Sequence, residues 1–184
     1  MKQDLILALI LLSIGIISVF IVNSITGYVV RVDHVIVGDE VLINYAIWYN
    51  GSGNWTLYST NIPSIAFKNN FLIEDYQPIK VKIGSGNFII GLQKSLLGMK
   101  MGENKTIILP PKEAYGDLKK DLIKFIPISM LPNNVKKGDK ITLKDSAVEG
   151  EVLGILNNTA IVNFNHPLAG NYVKIYYEIL KIER

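Results

Sequence analysis

The chain has 184 residues, 49% of them apolar, 19% charged and none cysteine, with a mean hydropathy of +0.28 and a net charge of +3. These figures suit one ordinary domain joined to an unusually apolar segment. So small and dispersed a charge excludes an electrostatic nucleic-acid surface, and the lack of cysteine excludes thiol chemistry.

Lys2 and Asp4 are the only charged residues in positions 1–30, and residues 5–22 read LILALILLSIGIISVFIV. A helix of about 20 such residues spans about 30 Å of hydrocarbon, so a single-pass anchor is expected over residues 1–30, touching lipid through residues 5–26. An uncleaved anchor is favoured over a signal peptide because the apolar run is long and no clear A-x-A site follows it. Lys2, Asp4 and Arg31 barely separate the two orientations. The N-x-[ST] pattern at Asn50, Asn54, Asn104 and Asn157 favours a body on the extracytoplasmic side.

Beyond the anchor, residues 39–49 (DEVLINYAIWY) alternate as a strand, residues 50–54 (NGSGN) form a turn, and residues 55–59 resume β-type side chains. Residues 61–77, with Pro63 and Asn69-Asn70, read as a surface excursion before a half-buried strand at residues 79–83 (IKVKI). Phe88, Ile89, Leu92 and Leu96 then fall at helical spacing and Gly98 ends the run, which predicts a single short helix. Residues 103–109 are β-like and stop at Pro110-Pro111, and residues 172–182 (YVKIYYEILKI) close the chain as a long strand. The class is α+β, an antiparallel sheet packed on a short helix. Residues 117–164 carry their own strand-like pieces at 122–126, 140–143, 148–156 and 160–164. Turns at 136–139 (KKGD) and Asn157-Asn158 separate them, so an inserted, mainly β subdomain replaces what would be an improbably long loop. The resulting division is an anchor over 1–30, a domain from 31–116 and 165–184, and the insertion over 117–164.

With His34 and His166 the only histidines and no cysteine, neither a metal site of standard ligand spacing nor a Cys-His pair can be assembled. No G-x-S-x-G elbow supports a serine hydrolase, and Gly84-Ser-Gly86 lacks the rest of a phosphate loop.

The stretch over residues 83–116, IGSGNFIIGLQKSLLGMKMGENKTIILPPKEAYG, has its glycines, the G-M-x-x-G-E run and the A-Y-G terminus in a specific order. In this it resembles the FKBP family of peptidyl-prolyl cis-trans isomerases. Gly38-Asp39 with the strand at 41–45, and residues 177–182 at the end, extend the likeness over most of residues 37–184. Asn165-His166-Pro167-Leu168-Ala169-Gly170 resembles the N-H-x-L-A-G signature of the SlyD-type branch, in which an insert-in-flap chaperone subdomain replaces the flap loop.

The resemblance implies an FKBP-like fold and a proline pocket lined by Tyr45, Leu57, Tyr58, Ile79, Phe88, Ile89, Leu92, Tyr115 and Ile175. The Ile89 N–H and the Tyr115 hydroxyl would face substrate carbonyls. It implies no cofactor or metal, because X-Pro rotation crosses a resonance barrier of roughly 18 to 20 kcal/mol and needs neither proton transfer nor a covalent intermediate. The expected partners are unfolded or proline-containing polypeptides, bound by a monomer. Leu57-Tyr58 stands where the family usually has Phe-Asp, and Leu92 where many members carry tryptophan.

In residues 122–131 (LIKFIPISML), Leu122, Phe125, Ile126, Ile128, Met130 and Leu131 are the expected chaperone surface, since methionine and aliphatic side chains repack at low cost. The alternative reading is the same fold with a weakened pocket, holding chains without useful catalysis. An anchored structural or adhesive domain would show neither activity.

Overall fold

The computed structural model describes residues 34–51, 53–72, 75–142 and 148–184. The anchor expected over residues 1–30 lies outside them; among the described residues no helix is long and apolar enough to cross a membrane.

Strand β1 (Glu40–Asn50) is the spine of a five-stranded antiparallel sheet with β2 (Trp55–Thr60), β3 (Ile79–Lys82), β4 (Asn104–Leu109) and β9 (Val173–Glu183). Along one edge β1 pairs with β9 over nearly its whole length, and β4 lies beyond β9. Along its other edge β1 pairs first with β3, through residues 40–43, and then with β2, through residues 46–50. The period-2 pattern turns Val41, Ile43 and Ile47 of β1 and Ile175, Tyr177 and Ile179 of β9 toward one face, where all are buried.

Helix α2 (Ile90–Leu96) covers that face with Leu92 and Leu96, both buried to within 1%. Gly91 keeps this approach close. A Cβ there would lie 2.5 Å from Leu109 Cδ2 and 3.0 Å from the Glu113 carbonyl oxygen, so any side chain would have to displace the buried Leu109 and crowd the Glu113 backbone. The excursion after β2 is not bare loop but contains helix α1 (Pro63–Lys68), so the expectation of a single helix is corrected. Pro63 at the first helical position starts it, where the missing N–H costs nothing.

At the far end of the sheet Asp39 is buried, accepts the Ile36 N–H at 3.0 Å and pairs with Arg184 at 3.3 Å. Nearby, Lys181 and Lys80 flank Glu183 and hold its carboxyl down to about 2, the direction an exposed carboxylate between two ammonium groups must take.

A second antiparallel sheet has the order β5-β8-β7-β6, from β5 (Ile123–Pro127), β6 (Lys140–Thr142), β7 (Glu149–Leu156) and β8 (Thr159–Asn163). Asn157 and Asn158 join β7 to β8 with φ of 48° and 66°, the left-handed pair a two-residue hairpin demands and asparagine tolerates. Ile141, Val152, Ala160, Val162 and Phe164 form its small core.

Two chain crossings connect the sheets, and hydrogen bonds fasten them to each other. The Asn165 side chain donates to the Lys119 carbonyl and accepts the Lys119 N–H, both at 2.9 Å, and the Gly170 N–H donates to the Gly116 carbonyl at 2.9 Å.

Candidate active site

Between α2 and the β2 end of the first sheet lies an open cavity of about 690 Å³, with no charged side chain among its lining residues. Its floor is Ile175 and Leu92, buried because β9 is an inner strand, between β1 and β4, and α2 is amphipathic. Phe88 and Ile89 form a side wall. They reach it because Gln93, itself buried, turns back from the helix: its Oε1 accepts the Gly84 N–H at 2.7 Å and its Nε2 donates to the Phe88 carbonyl at 3.0 Å. That pair of bonds fixes the loop feeding the helix. Ile89 immediately precedes α2, where backbone N–H groups lack intrahelical acceptors and point outward.

The opposite wall is aromatic. The Tyr45 and Ser59 hydroxyls share a hydrogen bond of 2.9 Å, and Tyr58 meets Tyr49 edge to face with ring centroids 6.5 Å apart. Tyr115 follows Pro110-Pro111 and a short 3-10 turn (Pro111–Glu113), which carry it from the end of β4 to the cavity rim. Its ring lies flat on the His166 imidazole, with centroids 4.1 Å apart and planes 9° from parallel. Burial first, and then the nearby Tyr58 and Tyr45 phenols, push the Tyr115 hydroxyl up to about 12, so it remains a donor across the biological pH range.

Of the nine expected pocket residues, Tyr45, Tyr58, Ile79, Phe88, Ile89, Leu92, Tyr115 and Ile175 line this cavity. Leu57 does not, which is a correction. The β1–β2 register shifts between Ile47 and Trp48, so that Ile47 pairs with Ser59 and Trp48 with Leu57, leaving Tyr58 as the extra residue. A bulge of this kind resets the alternation, and Tyr58 and Ser59 both face the cavity while Leu57 does not. Ser59 and Asn87 are polar lining residues that sequence reasoning missed. Ser59 carried no detectable signal, because a bulge is invisible to a period-2 pattern.

The six residues expected to bind unfolded chains separate into two groups. Leu122, Ile126 and Leu131 are half-buried and pack against the small core of the second sheet. Ile128 is half-buried, whereas Phe125 and Met130 are 71% and 75% exposed. Phe125 pairs with Ile161 and Ile126 with Ala160, so alternation along β5 decides which side chain goes in and which goes out.

Residues 34–140 match the family model described as FKBP-type peptidyl-prolyl cis-trans isomerase. A short-type peptidyl-prolyl cis-trans isomerase of Methanocaldococcus jannaschii is 27% identical over 149 residues, covering 79% of this chain and 92% of the relative. The FKBP-type 16 kDa isomerase of Escherichia coli is 30% identical over 112 residues, 58% of this chain and 75% of that protein. The FKBP-type isomerase SlyD of Helicobacter pylori is 27% identical over 108 residues, 56% and 58% of the two chains. With an uncharged aromatic cavity on an antiparallel sheet, and a family match over more than half its length, the chain belongs to the FKBP-type peptidyl-prolyl cis-trans isomerases and is similar to their SlyD members.

Proposed function

We propose that the protein accelerates rotation about X-Pro bonds in folding polypeptides by seating the proline in the cavity beside Tyr115. The observation that carries this is the uncharged wall itself. A planar amide owes its polarity to resonance, and twisting the C–N bond removes both the resonance and much of the dipole. Taking that amide out of water penalises the planar state more than the twisted one and lowers the barrier without acid, base, metal or cofactor. The Ile89 N–H and the Tyr115 hydroxyl supply donors that hold substrate carbonyls in register. The test is the cis-trans exchange rate of an X-Pro peptide by NMR with and without the protein. Acceleration lost in Tyr115→Ala supports the reading, and a folded protein that accelerates nothing removes it.

A second activity, holding unfolded chains, is supported by Phe125 on β5 and Met130 in the 3-10 turn that follows it, both of them exposed. In this reading residues 117–164 are the insert-in-flap unit, and the similarity to SlyD members supports the assignment. Suppression of aggregation of a reduced client, retained in Tyr115→Ala, tests it. The apolar run over residues 5–22 supports a membrane anchor, and the sequons at Asn50, Asn54, Asn104 and Asn157 support an extracytoplasmic body. Protease treatment of intact cells tests the side, since protection of the body before lysis places it on the inner side, and retention in the membrane fraction after a high-salt wash tests the anchor.

A further inference from the structure

His166 does not line the cavity, yet it is the platform under the residue that does. The Tyr115 hydroxyl has no hydrogen-bond partner among the described residues, so packing of the ring sets its direction. That packing combines contact with the core of the first sheet and the parallel stack on His166 at 4.1 Å. The imidazole is itself fixed: its Nδ1 accepts the Leu168 N–H at 3.1 Å, which places the proton of the neutral ring on Nε2. Its neighbours in the chain are anchored as well. Asn165 clamps both backbone groups of Lys119, and Leu168 is buried to within 1%.

The groups facing the imidazole are the Tyr115 phenol from the loop after β4, the Tyr58 phenol from β2 with centroids 6.2 Å away, and the Leu168 amide. Among the described residues no carboxylate pairs with it. A proton added to Nδ1 would set N–H against the Leu168 N–H, so the charged ring must leave that bond and tilt from the plane it shares with Tyr115. The attraction of a cation for the phenol face opposes this tilt, but the ring gives up an acceptor and gains no counterion. His166 is exposed along one side, and the partial loss of water under the Tyr115 ring acts in the same direction, holding the imidazole below its ordinary value.

Resting on the isomerase reading above, we infer that His166 is a positioning residue for Tyr115: its neutral ring, locked by the Leu168 amide, aims the phenol into the cavity, and protonation releases it. Isomerase activity is thereby gated by pH through a residue outside the cavity lining.

The experiment uses the full chain in mild detergent and follows X-Pro exchange by NMR from about pH 8 down to about pH 5, the interval in which imidazoles change charge. Each protein is normalised to its own value at the upper end. The wild type is expected to lose activity as the pH falls below the ordinary imidazole range, while His166→Phe, which keeps a flat ring but cannot be protonated, gives a level profile. His166→Ala, with no ring, is expected to lose roughly two- to tenfold in kcat/KM at the upper end. Equal decline in wild type and His166→Phe, or full kcat/KM in His166→Ala, overturns the inference.

A measurement on the wild type alone guards against variants that fail to fold. The Tyr115 ring signals should move along the titration curve of the His166 imidazole, and ring signals indifferent to that titration overturn the inference. Absence of any acceleration by the wild type at the upper pH refutes the isomerase reading instead, and the Tyr115 signals then decide the positioning role by themselves.

Discussion

Removing one oxygen from Tyr115 separates what the phenol does for the fold from what it does for a substrate. In the free protein the hydroxyl bonds to nothing among the described residues, while the ring stacks on His166 and lines the cavity. Tyr115→Phe therefore keeps the stack and should leave stability within about 0.5 kcal/mol of wild type. With substrate bound, the same change deletes one neutral hydrogen bond, worth about 0.5 to 1.5 kcal/mol, or roughly 2- to 12-fold in kcat/KM. The loss should fall on KM. A donor to the carbonyl of a neighbouring peptide, whose own amide stays planar throughout, binds the planar and twisted states of the X-Pro bond about alike, and uniform binding is read in KM. NMR exchange at several peptide concentrations gives both constants, and thermal unfolding gives the stability. Because burial holds the hydroxyl up to about 12, wild-type activity should stay level through pH 10, where an ordinary phenol is half ionised. A hundredfold drop in kcat, or a wild-type profile falling near pH 10, would refute this account.

Gly91→Ala should lower activity: a Cβ 2.5 Å from Leu109 Cδ2 and 3.0 Å from the Glu113 carbonyl displaces the buried Leu109 side chain and crowds the turn that leads to Tyr115. Overpacking of about 1 to 3 kcal/mol exceeds the roughly 1 kcal/mol gained in helix propensity, and an alanine variant of raised melting temperature and unchanged kcat/KM would contradict it. Phe125→Ser with Met130→Ser should weaken suppression of aggregation while leaving X-Pro exchange intact, since both side chains are exposed, on β5 and in the turn after it, and neither lines the cavity; equal loss of both activities would unite the two sites. Stability should decline as the pH falls from the usual imidazole value through the lower native value of His166. In that window the unfolded chain binds the proton the native ring refuses; unfolding of His166→Phe at the same pH values isolates the effect.

Strand positions were legible wherever one face is buried. The alternation of Val41, Ile43 and Ile47, and of Val173, Ile175, Tyr177 and Ile179, is the direct image of a half-buried sheet, and Gly98 at φ 78° ends the helix run where glycine is needed. Phe88 and Ile89 sat at helical spacing but precede α2, because Gln93 captures the Phe88 carbonyl and the chain enters the helix one residue later. Helix α1 is six residues long with no side-chain cap, so Pro63 was its sole local mark, too little to separate it from a turn. Leu57 was misplaced by a bulge that no residue type announces. His166 could be read only as a letter in a motif: its partner Tyr115 is 51 positions earlier, and nothing local signals a stack formed by two chain crossings.

The replacement of the family's usual Phe-Asp pair by Leu57-Tyr58 has a physical sequel at the cavity wall. A carboxylate in an apolar cleft must be paired or it takes up a proton, and either state adds polarity that water would follow. Here the bulge brings Ser59 to the wall, and its hydroxyl meets Tyr45 at 2.9 Å. The phenol is therefore satisfied by a neutral partner, and the wall stays without charge. For a reaction whose barrier is the loss of amide resonance, charge at the wall supplies nothing that rotation uses, whereas dryness acts directly on the planar state. The substitution thus removes one means of holding a substrate in register and keeps the property that lowers the barrier. In the proposed mechanism the register is left to Tyr115 and the Ile89 N–H, and so to His166 stacked on Tyr115 and to Gln93, which sets the loop leading to Ile89.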